Sequence, residues 1–563
     1  MNNTKMRFSL ALAIFPTLLS FQILCAQDVP RGWHLLDASQ DQHYGISLSK
    51  AYQFLKDKNK VAKPVIVAIL DSGVDTTHED LKQRLWRNSG EIPNNGIDDD
   101  GNGYIDDVYG WNFLGGKDGR NIKKCSDERS RIYHRFKAQF LGKEIDSSSL
   151  SATDSYNYQI WKKAAAEMNF STEEQTELLF VEITAKALKR HDKVLRKEMG
   201  TEVFTTEFLE KFEPQNKLAK EAKLGYITCI KMMGIDSDEK NTNTIEQLDE
   251  YVEGKKSAFE SKEKVPFDYR ADIVKDNYLN LSDRYYGNSD VMGPSPMHGT
   301  HVTGIIGAVR NNGIGVNGVA DNVQLMMVRV VPDGDEYDKD VALGIRYAVD
   351  NGAKIINMSF GKSFSPEKAW VDSAIRYAAN KDVLIVHAAG NDGVNNDNKD
   401  VFPNPIQWNY KAENFINIGA SGDPATTGSL AADFSNFGKI NVDVFAPGVK
   451  IYSTLPGRNE YGNLNGTSMS TPVVSGIAAI IRSNYPELSA VQVKQIIESA
   501  VSIPDSSLPN FKPGSQREPI AFSNLSKTGG IVNAFLSISL ADQTKPLKKE
   551  ILKPINKTTK SIK

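Results

Sequence analysis

The chain has 563 residues, 40% of them hydrophobic and 24% charged, with a formal net charge of −3. That length predicts two to four structural units in a water-soluble globular protein. The small negative balance excludes nucleic-acid binding through a basic field, and three cysteines exclude a disulfide framework or a zinc cluster.

Lys5 and Arg7 precede an apolar run over 8–25 that ends Leu24-Cys25-Ala26-Gln27. A basic stub, an apolar core and a small residue before a polar one predict a signal peptide over 1–26, cleaved after Ala26. The run is short and broken by Pro16, which disfavours a transmembrane anchor. Leu24 is bulky for lipoprotein attachment at Cys25. No later stretch is long and apolar enough to span a bilayer, so a secreted or periplasmic protein is expected.

An N-terminal extension over 27–64, with a helix near 46–58, leads to the unbroken run Val65-Ile66-Val67-Ala68-Ile69-Leu70. Such a run predicts a strand buried on both faces of a parallel sheet. It ends at Asp71-Ser72-Gly73. An acid at the carboxyl end of a central strand stands where open α/β sheets place their sites, although an Asp closing a turn reads the same way in isolation.

Asp98, Asp100 and Asn102 at alternate positions, then Gly103 and Tyr104, copy the front half of an EF-hand loop. The pattern predicts a structural Ca2+ held by the side chains of Asp98, Asp100 and Asn102 and the Tyr104 carbonyl, with Asp106 or Asp107 completing the shell. Tyr109 stands where the bidentate Glu belongs, so the loop is not a full EF-hand. A solvated acidic turn is the alternative.

Over 121–290 the pattern becomes helical and highly charged. Ser171-Thr172-Glu173-Glu174 is a capping box opening a helix with Leu178, Val181, Ala185, Leu188 and Leu195 on one side. Further helices are predicted over 217–233 and 245–263. Cys125 and Cys229 lie here and either pair after export or stay free. The block carries no catalytic signature and reads as a solvated helical subdomain.

From 291 the α/β alternation resumes, with helices over 298–307, 340–351 and 367–380 and strands over 324–331, 353–360 and 383–389. Strands over 414–420, 442–445 and 450–454 and helices over 473–483 and 491–500 follow. This alternation predicts an α/β fold with a doubly wound parallel sheet. Ser468 falls in a tight Gly-Thr-Ser turn before an apolar helix, with Pro472 expected in that helix's first turn. An oxygen there lies near unpaired N–H groups and a positive dipole end, which favour an anion.

Four blocks, Asp71-Ser72-Gly73, His298-Gly299-Thr300-His301-Val302, Ala389-Gly390-Asn391 and Gly466-Thr467-Ser468-Met469-Ser470-Thr471-Pro472, stand each at a predicted element junction. In this order they resemble the subtilisin-like serine proteases, the subtilases of peptidase family S8. The resemblance implies that Ser468 is the nucleophile, His298 its base, and Asp71 the acid that orients the imidazole. It further implies that the Asn391 amide and the Ser468 N–H receive the oxyanion. Ser359, Phe360 and Gly361, with Ala388, Ala389 and Gly390, match the walls of the primary pocket. Asn311-Asn312-Gly313-Ile314-Gly315-Val316, with Asp80, resembles a second calcium loop or else forms a Gly-rich surface turn.

The catalytic domain is expected in two parts, 65–120 and 291–540, interrupted by the insertion over 121–290 and followed by a disordered basic tail over 541–563. His298 follows Asp71 by 227 positions, far more than compact family members use, and the insertion is expected to border the cleft and limit its substrates. About 38 residues separate the signal from the first core strand, which leaves no room for the usual inhibitory propeptide. The implied activity is hydrolysis of protein or peptide substrates through an acyl-enzyme. A catalytically silent scaffold that serves as a binding module is the rival.

Overall fold

Alternation along single strands sets the architecture. The computed structural model describes residues 29–547 apart from 169–170, 236 and 408–409. The predicted signal peptide and the tail beyond 547 lie outside those residues, whereas 541–543 of the tail expected to be disordered end the helix Ala534–Gln543. Along the strand Val65–Asp71, Val65, Val67 and Ile69 enter one core while Ala68 and Leu70 enter another. Burial on both faces is why the run contains no polar residue.

Among the described residues nine strands form the main sheet, and only the edge pair Val501–Ser502 and Ile531–Val532 runs antiparallel. From that edge the order continues through Val444–Pro447, Phe415–Ser421, Leu384–Ala388, Ile355–Met358, Val65–Asp71 and Val323–Arg329 to Gly110–Asn112. On one face the core is closed by the helices Leu48–Asp57, Met297–Gly307, Thr467–Asn484, Ala490–Ser499 and Ala534–Gln543. On the other it is closed by Asp338–Asp350 and Lys368–Asn380. The strand Val65–Asp71 lies between Val323–Arg329 and Ile355–Met358, so the chain winds away on both sides of it. Its carboxyl end is therefore a topological switch point, where open sheets leave a crevice.

Two elements differ from the sequence expectation. The predicted strand over 450–454 is Ile451–Leu455, but it pairs only with Glu460–Leu464, in a hairpin separate from the main sheet. The serine helix runs Thr467–Asn484, so Pro472 sits inside it and not in its first turn.

The helical block spans Glu128–Phe140 to Tyr269–Ile273. Its longest helix, Thr172–Met199, opens with the predicted capping box of Ser171 and Glu174. Val181, Ala185, Leu188 and Leu195 on that helix join Tyr226, Ile230, Leu248 and Val252 in a core of the block's own. A smaller core joins Phe136, Phe140 and Trp161 to Phe364. Beyond the ends of the block, Asn112 and Asn288 exchange backbone hydrogen bonds at 3.0 and 3.1 Å, which brings its two connections side by side. Cys125 and Cys229 are free thiols. Among the described residues no helix is long and apolar enough to cross a membrane.

Candidate active site

Asp71 is the last residue of its strand and only 2% exposed. Its Oδ1 accepts from the Ser72 N–H at 2.8 Å and from His298 Nδ1 at 2.7 Å. His298 lies in the first turn of Met297–Gly307. Gly299 permits the close approach, because a Cβ there would lie 2.2 Å from the Gly73 carbonyl oxygen and 3.1 Å from Asp71 Oδ1. The buried Arg329 fixes the loop after Asp71, donating from Nε to the Ser72 carbonyl at 2.8 Å and from its other nitrogens to Asn112 and Ile122. Burial alone would depress His298, but the Asp71 carboxylate more than reverses this and holds its pKa above the ordinary value. His301 does not take part. It is fully buried, its Nε2 meets the Gly462 carbonyl at 3.1 Å, and burial pulls its pKa down to about 3.

Ser468 is the second residue of Thr467–Asn484. Its hydroxyl donates to the Ser359 carbonyl at 3.0 Å, and the Ser359 hydroxyl donates back to the Ser468 carbonyl at 2.9 Å. The misplaced proline explains the second bond. The Ser468 carbonyl would normally accept from the N–H four residues on, and residue 472 has none. Ser359 supplies the missing donor. Its hydroxyl is itself held by Asn357 Nδ2 at 3.0 Å, and Asn357 Oδ1 accepts from Ser475 at 2.9 Å.

Asn391 Oδ1 accepts from the Thr467 N–H and hydroxyl, each at 2.9 Å, which leaves its NH2 group free to face the cleft. A Cβ built on Gly466, whose φ is +149°, would lie 3.5 Å from both Asn391 Nδ2 and the Ser468 backbone N. Asn391 Nδ2 and the Ser468 backbone N thus lie on the same side of Gly466. Among the described residues Ser468 makes no hydrogen bond to His298. A turn of the Ser468 side chain away from Ser359 is needed to make one.

Two lobes share Val331, and Ser468 lines one of them while its hydrogen-bond partner Ser359 lines the other. One is lined by Ser468, Asn391, Phe360, Gly361, Ala388 and Gly390, and also by Asp335, Glu336 and Lys362, which the sequence did not single out. Ala389 stands behind this wall, fully buried, with its carbonyl accepting from Asn396 and Asn436. The other lobe is lined by Ser72, His298 and Ser359, and by Val203, Thr242, Glu246 and Glu250 from the helical block. The block therefore forms part of the cleft wall beside the histidine.

In the acidic loop, Asp100 and Asp107 converge with Glu91, one carboxylate oxygen of each lying within 4.8 Å of the others. Asp98 instead accepts from the N–H groups of Asn102 and Gly103, at 3.0 and 2.8 Å. Asn102 directs Nδ2 at Asp100 and Asp107, both at 3.1 Å, and the Tyr104 ring packs on Trp111 and Tyr347. Burial pushes Asp107 up to about 6. Glu91 lies outside the alternating pattern, and no local sequence signal marks it. Asp80 reaches its expected loop, but its carboxylate already accepts from Asn312 at 2.6 Å and from the Val316 N–H at 3.0 Å.

The chain is 37% identical over 206 residues to alkaline elastase YaB of Bacillus sp. (strain YaB), covering 36% of this chain and 50% of that protein. It is 37% identical over 206 residues to subtilisin BL of Lederbergia lenta, covering 36% of this chain and 70% of that protein. With subtilisin DY of Bacillus licheniformis the identity is 40% over 208 residues, again 36% of this chain and 70% of the relative. The chain thus spans half the length of the first of these relatives. The family model described as the subtilase family matches residues 62–524, both halves of the sheet and the block between them. By that match over most of its length, the chain belongs to the subtilase family.

Proposed function

We propose that the protein is an exported serine endopeptidase that hydrolyses peptide bonds in protein or peptide substrates through an acyl-enzyme on Ser468. The observation that carries this reading is the 2.7 Å pair of Asp71 and His298 beside a cleft that Ser468 and Asn391 also line. With Nδ1–H directed at an acceptor-only carboxylate, His298 presents Nε2 as a base. Ser468 rotates off the Ser359 carbonyl, passes its proton to Nε2 and attacks the substrate carbonyl. The developing oxyanion lies between the Ser468 N–H and the Asn391 amide, and the imidazolium is stabilised by Asp71. It then protonates the leaving amine, and water repeats the sequence to free the acid. Rapid labelling of Ser468 by a fluorophosphonate, lost in His298→Ala, is the expected result. A folded protein that fails to label is a silent scaffold, and the reading falls.

The acidic loop supports a structural calcium ion as part of the same reading. Its three convergent carboxylates offer only oxygen donors, and amide groups rather than Lys or Arg bridge them, so a hard cation fits the set. Glu91, Asp100 and Asp107 would hold it.

A further inference from the structure

The cleft is more acidic than the molecule that carries it. In the lobe beside Ser468, Asp335, Glu336 and Asp392 face a single lysine, Lys362. That lysine is already engaged, 2.7 Å from Glu128 and 2.8 Å from Asp338, and Glu128 also binds Arg131 at 2.7 Å. Arg131 and Lys362 are thus matched by Glu128 and Asp338, and among the described residues neither Asp335 nor Glu336 has an ion pair of its own. Glu336 is 2% exposed, and its Oε1 is buried without a hydrogen-bond partner. Burial, opposed by Lys362 and aided by Asp335, pushes the Glu336 carboxyl up to about 8. A buried carboxyl oxygen without a donor is costly, and a bound ligand is one way to supply what it lacks.

The lobe beside His298 repeats the pattern from a different part of the chain. Asp333, Glu246, Glu250 and Glu460 line it with one lysine, Lys240, which is paired to Glu460. Lys123 pairs with Glu250 at 3.6 Å. Burial raises the pKa of both Asp333 and Glu250. Both lobes are thus lined by more carboxyl than ammonium side chains, while the whole chain has a net charge of only −3.

Resting on the peptidase reading above, we propose that the cleft selects cationic peptide segments. One Lys or Arg side chain enters the Ser468 lobe and is met by Glu336, and a second is met by Asp333 and Glu250. A guanidinium or ammonium brings the donors that the Glu336 carboxylate lacks, and the helical block contributes to specificity through Glu250.

The test uses the full-length protein and internally quenched peptides that differ only in Arg against citrulline, or Lys against norleucine, at each residue flanking the cut. The expected result is a kcat/KM at least about tenfold higher for the charged member at two positions, with the ratio shrinking in high salt. Glu336→Gln lowers the Arg-to-citrulline ratio at one position by about tenfold, and Glu250→Gln lowers it at the other. If Glu336→Gln does not fold, Asp335→Asn and the wild-type ratios decide. Equal cleavage of Arg and citrulline peptides, or an unchanged ratio in Glu336→Gln, overturns this proposal and leaves the peptidase reading standing. No cleavage of any peptide together with no labelling of Ser468 overturns both.

Discussion

Ser359→Ala removes one oxygen and strands two partners. The Ser468 carbonyl loses the donor that stands in for the N–H missing at Pro472, and the fully buried Asn357 loses the acceptor of its Nδ2. Each orphaned group costs about 1–3 kcal/mol, so the expected loss of unfolding free energy is roughly 2–5 kcal/mol. The diagnostic variant is Pro472→Ala, which restores a backbone N–H four residues after Ser468. In that background Ser359→Ala strands only Asn357, and its cost drops by about 1–2 kcal/mol. Urea unfolding followed by tryptophan fluorescence on the four proteins of the cycle measures this directly. A coupling below about 0.5 kcal/mol would show that the two positions act independently and would refute the account of the serine turn.

Asn391→Leu keeps the volume and removes the amide, so kcat is expected to fall by about 10²- to 10³-fold with KM little changed. An equal fall in labelling of Asn391→Leu by a planar affinity reagent that forms no oxyanion would sink that role. Since the neutral imidazole is the active form and Asp71 raises the His298 pKa, activity should rise with pH, with its midpoint above the ordinary 6.5. Asp71→Asn should move that limb to lower pH, and a limb that stays put in a kcat/KM profile contradicts the pairing. Chelation should lower the thermal unfolding midpoint, and Glu91→Gln with Asp100→Asn should abolish the response to added calcium. Chelator sensitivity that survives in that double variant would place the ion elsewhere.

Residues whose role depends on their immediate neighbours were legible in the sequence. Asp71 ends an unbroken apolar run, His298 lies in the first turn of a helix, and Ser468 comes two residues after Gly466 at a helix start, so the position of each is marked by the element it terminates or begins. What escaped is set by contacts between distant segments. Glu91 joins the acidic loop across a turn. Glu336 matters because the surrounding cations are already claimed by Glu128 and Asp338. Pro472 was misread because a helix beginning at Thr467 has to be seen before its sixth residue becomes an interior one. The helices Glu128–Phe140 and Ala152–Glu167 were missed for a related reason, since their apolar residues become a core only when the two helices meet Phe364.

The exchange of hydrogen bonds between Asn112 and Asn288 has a consequence for how the molecule assembles. Asp71 and His298 are 227 positions apart, so a bare chain would have to close a very long loop to bring them together. Once the block has condensed on its own core and its two ends are tied, the path between them shortens to about 51 residues, which lowers the closure entropy by roughly 1 kcal/mol. If the block condenses first, it should gain protection from hydrogen exchange before the sheet does, and the Asp71–His298 pair should form after the two connections are tied.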